Sequence, residues 1–119
     1  MYLTMNRFKV RLGQEDAFEA VWTSRDSQLT HVPGFKAFHL MKGAEYEGDG
    51  GGYRLYASHT LWDSKAAFEA WTRSEAFRAA HRGAGDHRDL YLAAPALAIF
   101  ESVQTITACA LESASVPTA

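Results

Sequence analysis

Phe35-Lys36-Ala37-Phe38-His39-Leu40-Met41-Lys42, then GAEYEGDGGG at 43–52, then Tyr53-Arg54-Leu55-Tyr56-Ala57-Ser58-His59-Thr60-Leu61, form the centre of the chain. The two flanks alternate. Phe38 and Leu40 share one side of the first, and Tyr56, Ser58 and Thr60 oppose Leu55, Ala57 and His59 in the second. Period-2 alternation predicts two consecutive strands. The glycine-rich run between them has no apolar pattern, which predicts a long, mobile connection. Val32-Pro33-Gly34 precedes the first strand, where proline stops a helix and glycine permits a turn. Asp63 or Ser64 follows the second and can cap a helix, because their side-chain oxygens accept from its free N–H groups.

Working outward, residues 1–10 alternate with Tyr2, Thr4, Asn6, Phe8 and Val10 on one face, and Gly13 ends that strand. A helix is predicted over Gln14–Ser27, with Ala17, Phe18, Val21 and Trp22 as its apolar stripe. Ala67, Phe68 and Trp71 give a second amphipathic helix. Ser74 restarts it as a short helix over Glu75–Arg82, stopped by Gly83 and Gly85. Ala94–Thr107 contains a last strand. The order βαββαβ predicts an α+β, ferredoxin-like fold with helices on one face of an antiparallel sheet. The bare face needs cover, most simply a second copy, so a homodimeric α/β barrel is expected. Residues 1–107 read as the domain and 108–119 as a disordered tail.

At 119 residues the chain is one domain, and 47% apolar residues suffice for a core. A net charge of -2 gives no reason to expect nucleic acid or an anionic membrane as partner. No run approaches the ~20 apolar residues of a membrane span, and no signal-peptide pattern is visible. The single Cys109 cannot form an internal disulfide, which fits a cytoplasmic protein. No GxGxxG, P-loop, CxxC pair, HExxH or GxSxG occurs. His31, His39, His59 and His87 read as structural or surface residues.

Three residues carry possible chemistry. His81 stands at the end of the short helix among small alanines, which leave room for a flat ligand. An imidazole there could serve as an axial iron ligand, although from spacing alone a favourable contact with the helix dipole is the commoner role. Trp71 fits either the core or a ligand wall. Asn6 sits mid-strand, where asparagine is disfavoured and its amide needs a partner, either a ligand or the neighbouring strand.

The segment Ala67–Arg82, with its AFxxWxxSxxFxxAH pattern, closely resembles the Isd-type heme-degrading monooxygenases of the antibiotic biosynthesis monooxygenase superfamily. Asn6-Arg7 and Val32-Pro33-Gly34-Phe35 match as well, and the likeness spans roughly residues 3 to 106. The resemblance implies His81 as proximal ligand to heme iron, Asn6 as the distal hydrogen-bonding residue, and Trp71 as the wall that forces the porphyrin out of plane. Arg82, with Arg78 and Arg88, becomes a candidate for the heme propionates. Heme would be both cofactor and substrate, O2 the oxidant, and an external reductase or small reductant the electron donor, since no flavin or nicotinamide signature is present. The products would be iron, a one-carbon fragment and a linear tetrapyrrole such as biliverdin. The glycine-rich run 43–52 and the C-terminal tail depart from the family pattern. Two other readings stand beside it: a cofactor-free quinol monooxygenase of the same superfamily, and a non-catalytic heme-binding module.

Overall fold

β1 (Tyr2–Arg11) is the strand around which the sheet is built. It pairs antiparallel with β3 (Gly51–Trp62) from Tyr2↔Trp62 to Arg11↔Tyr53, and on its other edge with β4 (Ala96–Glu101). β2 (Phe35–Gly48) closes the far edge, giving the order β2-β3-β1-β4. The computed structural model describes residues 1–25, 28–48, 50–80 and 89–108. With α1 (Glu15–Thr23), α2 (Lys65–Thr72) and α3 (Glu75–Ala80), this is the expected ferredoxin-like α+β arrangement.

Alternation sorts the side chains as expected. On the helix side of the sheet, Phe8, Val10, Tyr56 and Trp62 are buried. Phe18 of α1 is fully buried against Phe8 and Tyr56, with ring centroids 5.3 and 4.6 Å away. Val21 and Trp22 pack against the same cluster, whereas Ala17 is exposed. Under α2, Phe68 and Trp71 pack on Trp62, at 5.9 and 5.2 Å. The core therefore has two aromatic halves, one beneath each helix. Each buried ring contributes on the order of 2–3 kcal/mol.

Local chemistry sets the helix ends. The Ala67 amide donates to Ser64 Oγ at 3.1 Å and the Phe77 amide to Ser74 Oγ at 3.1 Å, so both serines cap as expected. α1 stops at Thr23, short of the predicted Ser27. The Thr23 hydroxyl donates back to the Glu19 carbonyl at 2.9 Å and the Ser24 hydroxyl to the Val21 carbonyl at 3.2 Å, a local bonding that competes with helix propagation. Gly34 is tight against α2: a Cβ there would collide with Ala67 Cβ. The predicted continuation of α3 to Arg82 and its glycine stop lie outside the described residues.

The expected loop at 43–52 is instead a continuation of the β2–β3 hairpin, paired to Gly48↔Gly51. A bulge between Lys42 and Glu45 passes through Gly43, where a Cβ would lie 2.9 Å from the Leu55 carbonyl oxygen. The β2 side of the ribbon is exposed over residues 41–48, so it carries no inward apolar face and no alternation. Cross-strand pairs hold it. Arg54 Nη2 donates to Glu45 Oε2 at 2.8 Å, and Tyr46 stacks on Tyr53 at 5.7 Å.

Among the described residues no helix covers the opposite sheet face. Leu3↔Leu61 and Met5↔His59 lie there, and Met41 and Phe100 are each 53% exposed. No helix among the described residues is long and apolar enough to cross a membrane.

Candidate active site

The two aromatic halves of the core do not meet. Between them the helix-facing side of β1 and β3 carries small polar residues: Thr4 opposite Thr60, and Asn6 opposite Ser58. Above this floor lies a cavity of about 490 Å³. That volume is within the range of small-molecule sites. One wall is built by Trp22, Arg25, Leu29 and Phe38, the other by Phe68, Trp71, Thr72 and Phe77. The fold creates the space by placing hydroxyls and one amide where the flanking positions carry rings.

Each wall is fixed by packing. Trp71 lies 5.2 Å from Trp62 and meets Phe77 edge-on at 4.8 Å. The break between α2 and α3 makes that contact possible, since Ser74 Oγ donates to the Trp71 carbonyl at 2.6 Å while accepting from Phe77 N–H. Across the cavity Trp22 stacks on Phe38 at 5.8 Å with planes 16° apart. The Arg25 guanidinium lies over Trp22, 4.1 Å from the ring centroid. Burial holds the Arg25 pKa below the usual guanidinium range, with nearby Tyr91 opposing the shift.

Of the residues singled out in the sequence, Asn6 and Trp71 come together in this cavity. Asn6 is half-buried, and its amide makes no side-chain hydrogen bond among the described residues. Thr4 is committed, accepting from Trp62 Nε1 at 3.3 Å. His81 and Arg82 lie outside the described residues, as do His87 and Arg88. Arg78 is exposed and paired with Glu75. His39 and His59 pack together on the uncovered sheet face, ring centroids 5.9 Å apart, and His31 is exposed in a single 3₁₀ turn.

Sequence reasoning missed Arg25, Phe38, Ser58 and Thr60 as cavity residues. The polar pair Ser58 and Thr60 on the face that also carries Tyr56 was the available signal. Trp22 reads as plain core because it belongs to the apolar stripe of α1. On the α1 side a network holds the frame: Glu19 accepts from the Tyr56 hydroxyl and pairs with Lys42 at 3.3 Å. The Tyr56 hydrogen bond, then Lys42, keeps the Glu19 carboxyl below the usual range. Burial, then Glu19, pushes the Tyr56 phenol up.

The family model for antibiotic biosynthesis monooxygenases matches residues 1–83. The heme-degrading monooxygenase of Shouchella clausii (strain KSM-K16) is 54% identical over 33 residues, so the match spans 28% of this chain and only about a third (31%) of that protein. Among solved structures, the heme-degrader MhuD from Mycobacterium tuberculosis, with two hemes bound in its active site, superposes with a TM-score of 0.62 at 25% identity, over 90% of this chain and 100% of that one. SnoaB, a cofactor-independent oxygenase from Streptomyces nogalater, superposes at 0.60 with 24% identity, over 88% and 95%, a likeness that shows the fold alone.

Proposed function

The chain belongs to the antibiotic biosynthesis monooxygenase family, and from that membership we propose that it is a heme-degrading monooxygenase that opens the porphyrin ring with O2. The observation that carries this reading is an uncommitted amide, Asn6, facing an apolar, aromatic-walled cavity that also presents Trp71. A flat, largely apolar macrocycle matches such walls, and the amide supplies a single directed donor.

Each residue has a distinct task. His81, which follows α3 in the sequence, would hold the heme iron. Asn6 would donate its amide hydrogen to the O2 that reacts with the ring. Trp71, backed by Trp62 and Phe77, would form a rigid wall that presses on a bound macrocycle. Ring distortion is one of the protein's levers on heme electronics. The aromatic walls exclude water from the reacting edge. Heme, once bound, would supply the redox chemistry and itself be consumed, with O2 as oxidant and electrons from an external reductase or small reductant; the products would be iron, a linear tetrapyrrole and a one-carbon fragment. A second copy covers the exposed apolar sheet face, making a homodimer.

The floor also favours a second reading. The Thr60 and Ser58 hydroxyls and the Asn6 amide suit the ring oxygens of a hydroquinone, so a cofactor-free quinol monooxygenase fits the same cavity. Titration with hemin separates the two. The heme reading expects a Soret band that His81→Ala strongly weakens or shifts. An identical spectrum in the variant would remove His81 as ligand. No hemin binding, with oxidation of a hydroquinone, would establish the second reading.

A further inference from the structure

His39 and His59 stand directly opposite each other in the register of β2 and β3, with ring centroids 5.9 Å apart. The same row continues through Met5 of β1 to Ala98 of β4. Leu3, Leu61 and Phe100 flank it on one side, and Met41 and Ala57 on the other. The two imidazoles thus occupy the middle of the sheet face that no described helix covers. A sheet with one wet face places its polar residues there. In this sheet the outer positions around the pair are apolar and the helix side carries Thr4, Asn6, Ser58 and Thr60, a pattern that suits a face covered by an identical one under a two-fold axis.

The charges on that face have one sign. Arg7, Lys9 and Arg11 alternate onto it from β1 and are exposed, with Lys9 lying over the Tyr53 ring that stacks on Tyr46. Lys36 is paired with Asp63 at 3.2 Å, and Lys42 turns to Glu19 of α1. The strand carboxylates lie elsewhere: Glu45 meets Arg54, which also meets Glu15 of α1, Glu47 opposes Gly52 toward the hairpin end, and Glu101 opposes Tyr2, whose ring packs on Phe68 of α2. β4 presents only Ala96, Ala98 and Phe100 to this face. No carboxylate of the described strands is therefore placed to accept from a protonated His39 or His59. His59 adds a second constraint, because its Nδ1 is buried with no hydrogen-bond partner among the described residues. A neutral ring can leave that nitrogen bare, whereas an imidazolium carries N–H on both nitrogens and would bury a donor with no acceptor.

We propose that the His39–His59 pair is an acid-operated release in the contact between two copies of this chain: the copies associate while both imidazoles are neutral and separate when they are protonated. The inference rests on the homodimer reading and deepens it. Covering the pair with a second apolar sheet removes it from water, which disfavours the charged rings, and two neighbouring cations also repel. The dimer therefore binds fewer protons than two separate chains. By linkage, association is fully favoured above the pH at which the separate chains take up those protons, and it is lost as pH falls through that range.

The test is sedimentation of the full chain over a concentration series at two pH values, with far-UV circular dichroism as the check on folding. The dimer dissociation constant of the wild type should rise at least about tenfold from about pH 8 to about pH 5.5, a span that crosses the ordinary titration range of histidine. His39 is exposed, so its replacement leaves the core untouched. His39→Gln should shrink the rise, and the double variant His39→Gln, His59→Gln should associate alike at both pH values. His39→Lys places a permanent charge beside His59 and should weaken the dimer about tenfold already at about pH 8. A wild type that is monomeric at about pH 8 overturns the homodimer reading and the release with it. A wild-type dimer that is equally tight at both pH values overturns the release alone and leaves the homodimer standing. A rise that is undiminished in His39→Gln belongs to other groups and overturns the proposal. The wild-type profile and the exposed-site variant suffice for this decision, so misfolding of the double variant cannot leave the question open.

Discussion

Asn6 and Ser58 lie directly opposite each other in the antiparallel register of β1 and β3, and both side chains form the cavity floor. The space above them exists because neither carries a ring. Ser58→Leu places a branched side chain on that floor. The expected result is a drop in hemin affinity of about tenfold or more, with the far-UV circular dichroism of the wild type retained. A variant that binds hemin as tightly as wild type would show that the ligand sits elsewhere.

Asn6→Ala separates binding from chemistry. Most of the contact surface of a flat ligand comes from the aromatic walls, so its affinity should change by no more than a few-fold. A donor aimed at developing charge matters chiefly in the transition state, so turnover should fall by roughly 10²-fold. Single-turnover kinetics with pre-bound hemin reads the two separately. Full turnover in the variant would remove Asn6 from the mechanism.

Much of the architecture is legible from residue spacing. Tyr2, Thr4, Asn6, Phe8 and Val10 alternate as written, and Ser64 and Ser74 cap as their chemistry dictates. The hairpin at 43–52 was not legible, because a ribbon exposed on both faces needs no apolar period, and cross-strand pairs such as Glu45 with Arg54 leave none. Half of the site could be read in the same way. Asn6 stands out because an amide breaks the pattern of a half-buried strand. Trp22 and Arg25 do not, since an aromatic on a helix stripe and an arginine after a helix end are ordinary until tertiary packing brings one over the other. The role of His81 comes from the resemblance alone, and no spacing argument replaces it.

Acid should loosen the frame that carries the α1 wall. The Glu19 carboxyl is held below its usual range by the Tyr56 hydroxyl and then by Lys42. A depressed folded pKa means that stabilisation is present above the unfolded value and is lost as pH falls through the folded one. The melting temperature of the wild type should therefore exceed that of Glu19→Gln near about pH 7, and the gap should close toward about pH 3. A gap that widens on acidification would contradict the assignment.

The uncovered sheet face predicts self-association. Light scattering should give about twice the 13.2 kDa chain mass. Phe100 is 53% exposed on that face, opposite Leu3 in the β1–β4 register. Phe100→Glu should yield monomer, because a charge buried at an apolar contact without a partner is strongly unfavourable. A wild type that runs as a clean monomer would leave the face without its proposed cover.

Breakdown of hemin by the purified chain, with ascorbate as reductant in air, bears on the central claim most directly. The Soret band should decay over successive turnovers, iron should become available to a chelator, and mass spectrometry should identify a linear tetrapyrrole. A Soret band that persists under these conditions, with intact hemin recovered at the end, would contradict the account.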